Sequence, residues 1–408
     1  MKKLLVKNIG LLATPEGRSA HRGEEQGKIK FLKNAWVLIE DGIIASVGTG
    51  AVPAVEGAEV VDAEGHLVTP GLVDAHTHLI FGGWRQNELG LKLHGASYLD
   101  IQNAGGGIQS TTNATRQASE QELAAKASKA LDEMMGFGTT TVEAKSGYGL
   151  ATEHELKALE VIKDLNDHHR MDLVATFMGA HLVPAEYKSN REEYVRLVCE
   201  EMMPKVKEQG IAKFCDVFCE ADTFSVEESR QVLEAGLKYG LRPKIHADEI
   251  EAIGGSVLAG EIGAISAEHL IVCPPEGIAS MAKGGTIACL LPATSFNLGS
   301  TFAPARDMVN AGVAVAMATD FNPGSCPCLN LQFVINLGCL KYKLTPEEVL
   351  TAVTLNGAAA IDMADQVGSV EAGKKGDLVI WDAPDLDYIC YRVGSNLAKT
   401  VIKAGKVM

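Results

Sequence analysis

The sequence contains no run of about 18 apolar residues, the length that spans a bilayer core, so no membrane span is expected. Its first residues, Met1-Lys2-Lys3-Leu4-Leu5-Val6-Lys7, return to charge after three apolar side chains, too soon for a secretory h-region. Low-complexity tracts are absent. Prolines are few, 14 in 408 residues, so the 42 glycines point to tight loops rather than to disorder. No Lys/Arg stripe offsets the formal charge of -15, which excludes nucleic acid as a partner. The same charge repels an anionic substrate at long range, so such a substrate needs a local cation in its site. Nine cysteines, an odd number scattered along the chain, form no disulfide framework. They fit reduced thiols and a cytoplasmic location.

What is present is a 46% hydrophobic composition, enough for a large core, in a length that suits one barrel plus a smaller companion. Both ends read as short β-rich pieces separated by Gly and Asp turns: Leu4-Val6, Ala35-Glu40 and Ile43-Val47 at one, Leu378-Trp381 and Thr400-Ile402 at the other. They are expected to pair into a small β-sandwich domain made of 1–66 and 360–408. Between them, over 67–359, apolar runs alternate with helix-like stretches at 121–135, 153–165, 191–208 and 226–239. Candidate strands lie near 71–75, 138–143, 172–178, 213–219, 243–247, 263–267, 286–291 and 313–318. Near-continuous apolar strands separated by helices make a parallel sheet, and eight such units predict an α/β fold of the (β/α)₈ type.

On such a barrel the chemistry sits at the carboxyl ends of the strands. The first strand runs into His76-Thr77-His78, and residues at i and i+2 of extended chain project to the same side. The fifth runs into His246-Ala247-Asp248-Glu249, the sixth into Glu268-His269, and the eighth into Asp320-Phe321-Asn322-Pro323-Gly324-Ser325. Taken singly, each has an ordinary reading as a core histidine or a turn-capping carboxylate. Together they place His or Asp at the ends of four of eight strands, although the chain has only 11 histidines. Three neutral imidazoles (His76, His78, His246) and one carboxylate (Asp320) suit a borderline ion such as zinc or iron, not magnesium or calcium. Asp320 is then placed to shuttle a water proton, and His269 fits better as an oxyanion stabiliser or proton carrier than as a ligand.

These residues resemble the amidohydrolase superfamily, and within it the ring-opening enzymes of histidine degradation. The resemblance covers nearly the whole chain. Beyond the strand ends it rests on His76 to Arg85, Asn103 to Ile108, Lys145-Ser146-Gly147-Tyr148-Gly149 and Gly179-Ala180-His181. It implies hydrolysis of the cyclic amide C–N bond of 4-imidazolone-5-propanoate to N-formimidoyl-L-glutamate. It implies metal ligation by His76, His78, His246 and Asp320, with substrate contacts from Arg85, Tyr148, His181, Glu249, Asn322, Gly324 and Ser325. Among these, Arg85 offers a forked, always-charged partner for the substrate carboxylate. Asp320, His269 and Glu249 are the expected catalytic groups.

Binuclear members of the superfamily carry a carboxylated lysine at the end of strand four. Here that strand reads Phe214-Cys215-Asp216-Val217-Phe218-Cys219-Glu220 without one, so one divalent or trivalent transition metal per chain is expected. Cys326-Pro327-Cys328 has no second cysteine pair and reads as loop. Gly105-Gly106-Gly107 lacks phosphate-cradle spacing and reads as a flexible loop over the site. Two other readings stand beside the favoured one: a nucleobase-type deaminase using the same ligands, and a catalytically silent barrel. A homodimer is common among similar proteins, but no interface signature is visible.

Overall fold

The computed structural model of the chain describes residues 2–95 and 106–408. Eight strands run parallel, neighbour to neighbour in chain order: β1 (Leu72–Asp74), β2 (Thr139–Lys145), β3 (Asp172–Ala180), β4 (Phe214–Cys219), β5 (Arg242–Ala247), β6 (Ser266–His269), β7 (Ile287–Leu290) and β8 (Val315–Met317). β2 and β4 are buried along their whole length, as strands covered on both faces must be. Between β8 and β1 the ring closes just beyond the strands. There the Asp320 N–H donates to the His76 carbonyl at 3.0 Å, and the His78 N–H donates to the Phe321 carbonyl at 2.9 Å. The closing seam is therefore built from the two segments that carry three of the four predicted ligands.

Helices return the chain from the end of one strand to the start of the next. Glu120–Gly136 and Val226–Lys238 each begin with a capping box, in which Ser119 and Glu122, or Ser225 and Glu228, satisfy each other's backbone donors. The predicted helix over 191–208 is two α-helical pieces, Arg191–Leu197 and Met203–Gln209, joined by a π-turn over Val198–Met202. The sixth strand starts at Ser266 rather than near 263, because Gly263 ends the helix Gly255–Ile262 in left-handed backbone (φ 65°). Gly107 is not loop: preceded by Gly106 in extended backbone, it opens the helix Gly107–Gln117 and donates its N–H to Glu88 at 2.7 Å. Gly105, with the rest of Asn103–Gly105, lies outside the described residues.

Strands from both ends of the chain share a second sheet of eight. Leu67–Pro70 pairs in parallel with Lys3–Thr14 and antiparallel with Leu378–Trp381, and Lys30–Glu40 and Ala398–Lys403 extend the sheet on either side. One face buries Leu4, Val6, Ile9, Val37, Ile39, Val68, Ile380 and Ile402. The chain crosses to the barrel at Gly71, four residues beyond the join expected at 66/67. The Gly71 N–H donates to Asp377, the following N–H to Gly138, and a Cβ on Gly71 would lie 2.3 Å from the Thr140 hydroxyl. Residues beyond 360 also reach back: Ile361, Met363 and Val367 pack with Val73, Phe214 and Ile287 at the floor of the barrel. A buried ion pair ties the two sheets, since Lys403 lies 2.6 Å from Asp377 and 2.6 Å from Asp172, the first residue of β3. Among the described residues no helix is long and apolar enough to cross a membrane.

Candidate metal centre and active site

The period of two along each strand turns alternate side chains into the barrel. Asp74, His76 and His78 follow one another inward from the end of β1, and Lys244 and His246 do so from β5. The His76 and His78 Nε2 atoms approach the same Asp320 oxygen, Oδ1, at 3.4 and 3.6 Å, and His246 Nε2 stands 3.3 Å from His78 Nε2. All four side chains are buried. His76 Nε2 and Asp320 Oδ1 have no hydrogen-bond partner, although a buried polar atom left alone costs about 1–3 kcal/mol. A metal ion relieves that cost. Ligand bonds of about 2.0–2.1 Å in a tetrahedral arrangement place donor atoms about 3.3–3.4 Å apart, so these separations fit a transition metal of ordinary bond length.

Burial, followed by the cationic neighbours, holds His76 and His78 well below the usual histidine range, so both rings are neutral and able to ligate. Burial raises Asp320 to about 6; its Oδ2 accepts a hydrogen bond from Thr294 at 2.6 Å, which leaves Oδ1 facing the histidines. The donor atoms fall in two overlapping groups, His76 with His78 and Asp320, and His76 with His246 and His269, whose ring lies 5.3 Å from that of His246 and 5.8 Å from that of His76. His269 Nε2 is 3.6 Å from Glu249, which burial and the nearby Asp320 and Glu220 push up to about 8. Asp248, His269, Leu270 and Asp320 all have positive φ, from 52° to 69°. Strained backbone of this kind, about 1–3 kcal/mol per residue, gathers where a site dictates side-chain direction.

The predicted substrate residues line the same mouth. His181 stacks on His78 at 4.9 Å and 18°, with its Nδ1 2.9 Å from the Gly147 carbonyl, and the Tyr148 ring lies 5.1 Å from that of His181. Asn322 shapes the turn after β8: its side-chain oxygen accepts from the N–H groups of Gly324 and Ser325 at 2.9 and 2.8 Å. Arg85 lies against that turn, so closely that a Cβ on Gly324 would come within 2.1 Å of Nη1. Its Nε and Nη2 are gripped by Glu88 at 2.8 and 3.0 Å.

Two sets of residues carry structure here that the sequence reading passed over. Beneath the histidines lie Glu143, Lys145, Asp216, Lys244 and Glu268, none of them exposed. Asp216 meets His246 Nδ1 at 3.0 Å, and Glu268 meets His76 Nδ1 at 2.9 Å. Burial pushes Glu268 up, but Lys244 and Lys145 outweigh it and bring its pKa to about 2. At the end of β4, the Glu220 carboxylate accepts from the N–H groups of Glu249, Ile250 and Glu251 at 3.0, 2.8 and 2.9 Å, pinning the segment that presents Glu249. The signal was there: Asp74 and Lys244 each stand two residues before a predicted ligand, on the same face of the strand. Cys326 and Cys328 lie past the Asp320 turn, and Cys326 Sγ points to the Thr319 carbonyl at 3.2 Å, as loop residues.

A parallel barrel with imidazoles and a carboxylate converging at its carboxyl end defines a class, and the comparisons agree with it. The chain belongs to the amidohydrolase family, whose model matches residues 67–408. Within that family it is similar to the imidazolonepropionase of Alkaliphilus metalliredigens, 51% identical over 100% of this chain and 98% of the relative. It is similar also to that of Geobacillus sp. strain WCH70, 49% identical with coverage of 100% and 98%. Among solved structures it superposes on a triazine hydrolase variant with a TM-score of 0.75, 18% identity and coverage of 100% and 94%, a likeness of fold.

Proposed function

We propose that this chain hydrolyses the ring C–N bond of 4-imidazolone-5-propanoate, giving N-formimidoyl-L-glutamate. The observation that carries the reading is the likeness to imidazolonepropionases along the entire chain, 51% identical over 100% of its length. The geometry supports it. His76, His78, His246 and Asp320 are the proposed holders of one transition metal, zinc or iron. Such an ion lowers the pKa of a coordinated water and polarises a carbonyl. Asp320 takes the proton released from water as it adds to the ring carbonyl, and returns it to the ring nitrogen as the C–N bond breaks. Glu249, whose carboxyl burial pushes up to about 8, and His269 donate toward the carbonyl oxygen as negative charge develops there.

Arg85 is the proposed local cation for the propanoate tail. Glu88 fixes its Nε and Nη2, and its Nη1 packs beside Gly324, so the direction of the fork is set by the turn that follows β8. Tyr148, His181, Asn322 and Ser325 are proposed to complete the wall around the ring and its tail. Support for a single metal comes from Lys145, whose ammonium lies 2.8 Å from both Glu143 and Asp216. It engages the carboxylates that a second cation would need. The free cysteines support a reducing compartment, the cytoplasm. The test is an assay of the purified chain with 4-imidazolone-5-propanoate. Ring opening without free ammonia supports the reading, and ammonia release from nucleobases with no imidazolone turnover overturns it.

A further inference from the structure

The floor of the metal centre is a closed set of charges. Asp216 on β4 directs Oδ1 to His246 Nδ1 at 3.0 Å and Oδ2 to the Lys145 ammonium at 2.8 Å. Glu268 on β6 directs Oε2 to His76 Nδ1 at 2.9 Å and Oε1 to the Lys244 ammonium at 3.1 Å. Ser266 closes the second arm, accepting from Lys244 at 2.7 Å and donating to Glu268 at 2.5 Å. Both arms thus repeat one pattern, lysine to carboxylate to the Nδ1 of a histidine, on different strands. Charges buried this deeply are tolerated only when paired, and here each carboxylate oxygen faces a ring nitrogen or an ammonium, Asp216 Oδ2 by charge without a hydrogen bond.

We propose that Asp216 and Glu268 are positioning residues that fix His246 and His76 as Nδ1–H tautomers with Nε2 free for the ion, and that Lys145 and Lys244 hold those carboxylates in place. The proposal rests on the metal-hydrolase reading above. An ionised carboxylate only accepts hydrogen bonds, so the ring nitrogen facing it must carry the proton. The other nitrogen then presents its lone pair to the cluster, which is the arrangement that raises ligand basicity and sets metal affinity. His78 provides a contrast within the same site. Its Nδ1 has no hydrogen-bond partner, and its ring is held by stacking on His181.

Two measurements on the full-length chain decide the matter. In metal-stripped wild type labelled with ¹⁵N-histidine, long-range ¹H–¹⁵N correlation at pH 8 is expected to show Nδ1 protonated and Nε2 bare for His76 and His246; Nε2–H forms overturn the relay. Competition between the protein and a chelator for zinc then reads affinity in Asp216→Asn and Glu268→Gln. Each change is expected to weaken zinc binding about 10–100-fold, and folded variants that bind as tightly as wild type overturn the proposal. If a variant fails to fold, the tautomer measurement on wild type still decides. A wild-type chain that binds no zinc or iron refutes the metal centre itself, and the relay with it.

Discussion

At the residue scale the centre depends on where single atoms point. Asp320 has one oxygen tied to Thr294 and the other turned to the histidines, so replacing it by Asn removes the charge proposed to hold the metal and the proposed proton carrier. Asp320→Asn is expected to lower turnover by about 10²–10⁴-fold, with circular dichroism unchanged; near-normal turnover contradicts its role. Gly324 is tested through its neighbour. A methyl group there collides with the Arg85 guanidinium and moves the cation proposed to read the substrate tail. Gly324→Ala is expected to raise KM by roughly tenfold or more, the worth of a charge-assisted hydrogen bond of about 1.5–3 kcal/mol, while kcat changes little. An unchanged KM removes Arg85 from substrate binding. The residues facing the proposed ion were legible in the sequence because strand-end position and the two-residue period are one-dimensional signals. Lys244 shared that two-residue signal with His246, but Glu268, Asp216 and Lys145 did not, because a charge inside an apolar strand makes sense only beside a partner that lies tens of residues away in the chain.

At the element scale the barrel strands are short, and the helices that follow them fix their ends. Val226–Lys238 packs against β4 and β5, which carry Asp216 and His246, and its first turn is held by the Ser225–Glu228 capping box. Ser225→Ala is expected to cost about 0.5–2 kcal/mol, read as a lower unfolding midpoint with zinc affinity unchanged. An unshifted midpoint means the cap contributes nothing. The alternation of apolar runs and helices located all eight strands, and the sixth was misjudged by about three residues. Its Gly263 belongs to a helix end rather than a strand start, and an apolar stretch beside a glycine does not distinguish the two. The π-turn at Val198–Met202 left no mark in the periodicity, since one widened turn scarcely shifts the apolar face.

At the scale of the whole molecule, two sheets built from distant parts of the chain are joined by a few buried contacts. Lys403 of the terminal sheet pairs with Asp377 beside it and with Asp172 of the barrel. Lys403→Met leaves Asp377 buried without its cation and is expected to cost about 3–5 kcal/mol at neutral pH. Burial raises the Asp377 pKa against the pull of Lys403, so without the lysine the ionised form is worse still. The penalty therefore shrinks as acid protonates the carboxyl, and thermal unfolding across pH reads that slope; a penalty independent of pH contradicts the pairing. The pairing of the two chain ends was legible as shared β-rich texture. The crossing point was not, because Leu67–Pro70 is as apolar as a barrel strand, and the close approach of Thr140 to Gly71 exists only in three dimensions.

The most direct test of the central claim is turnover of 4-imidazolone-5-propanoate by the purified chain, titrated with zinc or iron after complete metal removal. The account predicts that activity vanishes on removal and returns in full at one equivalent per chain. Activity that survives chelation, or that needs a second equivalent, would contradict it.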